Sequence, residues 1–158
     1  MANEAKMVFD STTTTVISLS ETISDTYIVG GNTELDNSTN LYPLAVATLE
    51  VTDTFGAAPT GPINLYMVRG DTDGTSNDTN FGYTSKANSD AVTDPSDAEY
   101  LGSWNPDADA AYRKQITISL NGVKQAKFYI QNDTNTTLVY SSNPITVKIT
   151  PFTMGPAA

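Results

Sequence analysis

Residues Leu41–Phe55 read LYPLAVATLEVTDTF, and the pattern within them decides the fold. Ala45, Ala47, Leu49 and Val51 share one parity, while Val46, Thr48, Glu50 and Thr52 share the other. Side chains of a strand point alternately to its two faces, so the first set belongs on a buried face and the second on a more polar one. The Gly/Pro-rich FGAAPTGP that follows must turn the chain. Next comes INLYMVR, Ile63 to Arg69, with Ile63, Leu65 and Met67 on one face and Tyr66 and Val68 on the other. A strand apolar on both faces is expected to be covered on both.

The same grammar extends in both directions. QITISL alternates through Ile116, Ile118 and Leu120 and ends in the turn NGV. AKFYIQN sets Phe128 and Ile130 against Lys127, Tyr129 and Gln131. ITVKIT places Ile145, Val147 and Ile149 on one face, and Pro151 is expected to stop it. Further strands are expected in TTTTVISLS (Thr12 to Ser20), SDTYIVGG (Ser24 to Gly31), AEYLGSWN (Ala98 to Asn105) and the short LVYS. NTELDNSTN reads as a loop, and PDADAAYRK as a loop or helical turn. No stretch reads as an amphipathic helix of useful length. The expectation is an all-β fold: an antiparallel two-sheet β-sandwich of about eight strands. Residues 12–153 form the single domain, with a long polar loop over 70–97, an N-terminal arm over 1–11 and a C-terminal tail over 154–158.

Composition agrees. The chain has 158 residues, enough for one domain with a sizeable core. Its polarity comes from Thr, Ser and Asn rather than from charge, since only 16% of residues are Asp, Glu, Lys or Arg. Thr favours pleated surfaces, and Asn, Gly, Pro and Asp favour turns. The net charge of -10 repels phosphate backbones and anionic membranes, so neither nucleic acid nor a membrane is an expected partner. No apolar run spans a bilayer, and MANEAKMVFD lacks the basic and apolar regions of a leader, which predicts a soluble chain made without Sec export. With Cys 0 and His 0 there is no disulfide, no thiolate nucleophile and no histidine base or ligand.

Several motifs yield to simpler readings. In Arg69-Gly70-Asp71, the arginine ends a strand and Gly-Asp begins a turn, which needs no integrin. Asp71-x-Asp73-Gly74 resembles the opening of an EF-hand loop, but the twelfth position is Gly82 instead of glutamate and a strand precedes it. Asp71, Asp73, Asp78, Asp90, Asp94 and Asp97 read as solvated loop acids, and no cofactor or metal is expected. Sequons at Asn37, Asn77, Asn132 and Asn135 matter only in a glycosylating pathway, and their polar loops are expected to be exposed. Eighteen acids offer many pairs for glycoside hydrolysis and nothing selects one, so no catalytic residue is named. Trp104 is expected in the core. Phe81 and Tyr83 are the large apolar anchors of an otherwise polar loop.

Taken in order, LEVTDTFGAAPTGPINLYMVRGDTDGTS, AEYLGSW, AKFYIQNDTNTTL and NPITVKITPFT resemble the head decoration, or cement, proteins of tailed bacteriophages. The resemblance spans roughly Leu44 to Thr153 and rests on turn and strand grammar. It implies a jelly-roll sandwich, favoured over an immunoglobulin-like one, that sits on the outer surface of the virion and binds the major capsid protein without catalysis. The segment from Thr72 to Asp97 and the N-terminal arm depart from that pattern. Self-association as a dimer or trimer is expected. Met7, Val8 and Phe9 of the arm, with Phe81 and Tyr83, are the candidate capsid or subunit contacts. The alternative is a receptor- or glycan-binding module of a tail fibre or adhesin, using the 70–97 loop.

Overall fold

The computed structural model describes residues 5–26, 28–30, 33–70, 98–140 and 144–156. Ten strands run through them: β1 (Ala5–Phe9), β2 (Thr14–Leu19), β3 (Ile28–Gly30), β4 (Leu35–Asp36), β5 (Leu44–Val51), β6 (Ile63–Arg69), β7 (Glu99–Trp104), β8 (Tyr112–Ser119), β9 (Gln125–Asn132) and β10 (Ile145–Pro156). There is no helix among the described residues. All ladders are antiparallel and build two five-stranded sheets.

The first sheet has the order β1-β10-β5-β8 with β2 also on β10, and the second β3-β9-β6-β7 with β4 also on β9. In each sheet two short strands share one edge position. β2 lies along residues 145–149 of β10 and β1 along 152–156; β3 lies along 129–131 of β9 and β4 along 125–126. Ten strands therefore fill eight positions, four in each sheet, which agrees with the expected number.

The alternation that predicted β5 holds: Ala45, Ala47, Leu49 and Val51 are at most 1% exposed. They meet Ile145, Val147 and Ile149 of β10, with Ile63, Leu65 and Met67 of β6 and Phe128 and Ile130 of β9 from the facing sheet. Trp104 joins this cluster, as expected. Two bulges adjust the pattern. One, opposite Val147/Lys148, lets the consecutive Val16 and Ile17 of β2 both be buried. The other, between Leu65 and Tyr66, coincides on β7 with Gly102, whose φ of 149° suits glycine and whose missing Cβ leaves room for Ile116.

Elsewhere the chain differs from its sequence reading. Pro151 does not stop β10, which runs on to Pro156 and takes in the first three residues of the expected tail. The Asp10 N–H donates to the Pro151 carbonyl at 2.8 Å, so Pro151 turns its hydrogen-bonding side toward the gap between β1 and β2. No ladder donor is needed there, and a proline fits. Because β10 continues, it offers an edge to the first residues of the chain, and 5–9 of the expected arm become β1. Leu35 and Asp36 form a short strand inside the expected loop, and Tyr112 already belongs to β8. Of LVYS, the described residues 138–140 supply a bridge from Leu138 to Ile23 and no strand, the preceding Asn/Thr turn being held by Asn132 and Thr134.

Candidate functional site

The outer face of the first sheet follows from register. With odd residues of β5 buried, Leu44, Val46, Thr48 and Glu50 point outward, and their partners on β10 are Phe152, Thr150, Lys148 and Thr146. Across the other side of β10, Phe152 pairs with Phe9 and Met154 with Met7. The rings of Phe9 and Phe152 lie 5.3 Å apart in a tilted arrangement. Phe152 is 2% exposed, whereas Met7, Phe9 and Met154 are 41%, 49% and 51% exposed. One end of this face is thus an apolar strip with a buried phenylalanine under exposed flanking side chains. A strand edge adjoins it, because β1 is paired on one side, by β10, among the described residues.

The opposite end of the same face is ionic. Glu50 receives Lys148 through one carboxylate oxygen and the Arg113 Nε through the other, at 2.8 Å for the arginine. The Lys148 hydrogen bond, its charge and that of Arg113 hold the Glu50 carboxyl below the ordinary glutamate range, against the opposing effect of burial. A carboxylate kept ionised in this way is a poor general acid. The recesses beside it, lined by Tyr112, Arg113 and Gln115 among others, are shallow and open.

Of the residues singled out in the sequence, Met7 and Phe9 are on the outer strip, while Val8, opposite Thr153, points to the other face. Phe81 and Tyr83 lie outside the described residues, as do the acids from Asp71 to Asp97 and the Asn77 sequon. Sequence reading missed Phe152 and Met154. Their parity with Lys148 and Thr150 was the available signal, hidden by the assumption that Pro151 ends the strand.

The remaining motifs have structural roles. Arg69 ends β6 and donates from Nε and NH2 to Glu99, at 3.0 and 2.8 Å, and from NH1 to the Asn121 carbonyl. The sequon loops are exposed at 38–40, Asp133 and Asn135, as expected, but two of the asparagines themselves turn inward. Asn37 is buried and bonded to backbone of Tyr42 and Val123, and Asn132 is buried and donates to the Ile23 and Thr136 carbonyls. A buried amide serving as an internal turn clamp is closed to modification. Asn135 is exposed. Tyr100 is 56% exposed and meets Tyr66 edge-on at 5.7 Å, beside the Gln131 amide that accepts from the Tyr66 hydroxyl. Burial first, then Tyr100 and Asp133, push the Tyr66 phenol above its ordinary value.

No group of three or more His, Cys, Asp or Glu side chains among the described residues is placed to hold a metal ion. No helix among them is long and apolar enough to cross a membrane. No protein-family model and no curated protein sequence matches the chain.

Proposed function

We propose that the chain is a non-enzymatic structural protein of a tailed-phage head, which binds the outer capsid surface and ties neighbouring major capsid subunits together. The observation that carries this reading is the strip of Met7, Phe9, Phe152 and Met154 at one end of the outer face of the first sheet, next to a strand edge that is open among the described residues. An extended apolar strip suits another protein's surface better than a small ligand, which favours a concave pocket. The resemblance of residues 44–153 to head decoration proteins supplies the class of that partner. Contacts of this modest size become strong when many copies act on one shell.

The strand order supports a jelly-roll reading of the sandwich. Consecutive strands mostly alternate between sheets, and β6–β7 is the consecutive pair joined in one ladder among the described residues. An immunoglobulin sandwich, with strands A, B, E and D in one sheet and C, F and G in the other, keeps more consecutive strands together. Jelly rolls recur in viral capsid proteins.

Co-sedimentation with undecorated capsids of the same virus tests the reading. The intact chain is expected to pellet with the capsids, and Phe9→Asp is expected to weaken binding at least about tenfold, the equivalent of one buried aromatic contact. Failure of the folded, intact chain to co-sediment would overturn it. The edge-to-face pair of Tyr66 and Tyr100, with the Gln131 amide beside it, favours a second reading as a glycan-binding module. A glycan screen whose signal is unchanged by Tyr100→Ala would remove this pair from consideration.

A further inference from the structure

We propose that β1 pairs antiparallel with β1 of a second copy about a twofold axis at Val8, joining the first sheets of two chains into one continuous sheet. The backbone geometry comes first. In an antiparallel ladder, a residue's N–H and C=O point to the same side, and successive residues alternate sides. The Asp10 N–H bonds to Pro151 of β10, so Lys6 and Val8, of the same parity, also turn toward β10. Met7 and Phe9 present their N–H and C=O groups on the open side. AKMVF is a hydrophobic edge with a single charged residue, the kind of edge that pairs unless it is blocked.

Self-complementarity then selects the partner and the register. With Val8 at the axis, Val8 faces the partner's Val8, Met7 faces the partner's Phe9, and Lys6 faces the partner's Asp10. Met7 and the partner's Phe9 exchange N–H and C=O bonds, and symmetry repeats the exchange. Apolar pairs Met7–Phe9 form on the outer face and opposite charges meet twice on the other. Moving the axis to Met7 removes the charge pairing by setting Lys6 against the partner's Val8. Moving it to Lys6 opposes the two lysines. Cross-strand pairs of opposite charge stabilise and like charges destabilise, so the Val8 register is the favoured one. A second copy fits where an unrelated edge has no reason to carry lysine and aspartate at this spacing.

The axis stands perpendicular to the sheet, so both outer faces look the same way. The strips of the two copies become one apolar band running Phe152, Phe9, Met7 and across the axis. This consequence bears on the capsid reading, but the pairing itself rests on β1 and is tested without any capsid.

Sedimentation equilibrium of the intact protein is expected to give twice the 16.9 kDa of one chain at micromolar concentration. Met7→Pro removes an outward donor while leaving the residues that bond to β10, so it is expected to yield a folded monomer whose melting transition is cooperative and, unlike that of the native dimer, independent of protein concentration. Lys6→Asp and Asp10→Lys singly set like charges opposite each other twice, and each is expected to weaken the dimer about tenfold or more. The double reversal restores opposite charges and is expected to restore the dimer. A monomeric or trimeric native chain overturns the proposal, since a closed trimer cannot use an isologous strand pair. So does a dimer indifferent to Met7→Pro, or a double reversal that stays monomeric.

Discussion

The outer faces of the two sheets are finished differently. On the second sheet, Ile28, Val68 and Tyr129 form a buried cluster with Tyr66 and Ala98 packed against it. Lys127 on the same face is 1% exposed, its ammonium 3.6 Å from Glu34. On the first sheet the outward residues are a Glu50–Lys148–Arg113 cluster at one end and the half-exposed strip of Met7, Phe9 and Met154 at the other. The second face packs these apolar residues within the chain and leaves Tyr100 exposed beside Tyr66. The first leaves part of its apolar surface in water, which is costly unless something covers it. Stability and binding should therefore separate, the first residing in one face and the second in the other.

The largest expected effect tests the stability half. Tyr129→Ala on the second face removes a buried ring and should cost about 3–5 kcal/mol, lowering the urea midpoint sharply. Gly30 lies opposite Tyr129 in the β3–β9 ladder, and a Cβ placed on it would fall 2.4 Å from the tyrosine ring. Gly30→Ala should cost about 1–3 kcal/mol by overpacking. Combined with Tyr129→Val, it should cost less than the sum of the two changes, because they meet at one contact. Additive costs would mean that the ring does not rest on the glycine.

Phe9→Ser sharpens the comparison from the other side. Phe9 is half exposed and touches Phe152, so its loss should lower stability by only about 1 kcal/mol while reducing capsid binding more than Tyr100→Ala does. A loss of stability as large as that of Tyr129→Ala would show that both faces serve the fold.

How much of this contrast was legible depends on where two periodicities meet. The buried faces of β5, β6, β9 and the first half of β10 were readable, because each alternates over its full length and Tyr66 and Val68 announced a second covered face. The strip was half readable. Met7, Val8 and Phe9 stood out as apolar, but a strand's face is set by its partner's register, and that partner lay beyond Pro151. Whether a proline breaks a strand depends on which neighbour its nitrogen faces, which is a property of the sheet and not of the segment. The burial of Asn37 and Asn132 beside exposed loop residues was hidden for a related reason. An asparagine in a polar stretch looks solvated until backbone groups distant in sequence converge on its amide.

The smallest expected effect concerns the ionic end of the first face. Lys148, with Arg113 and Thr146, holds the folded pKa of Glu50 below its ordinary value of 4.5. The folded state therefore binds this proton less readily than the unfolded chain does, and the ionised glutamate adds stability above the ordinary value. That contribution disappears as the pH falls through the lower, folded value. Asp36 is also lowered, by its hydrogen bonds from Ser38, so the native protein alone shows a composite acid slope. Comparing it with Glu50→Gln isolates one group, since Asp36 is common to both. Urea midpoints of the two proteins should coincide at the acid end and separate above it by less than about 1 kcal/mol, the range of partly exposed ion pairs. High salt should narrow the gap, because exposed charges are screened. If the two profiles stay parallel through the acid range, this cluster contributes solubility without stability, and the polar half of the first face is as unfinished as the apolar half.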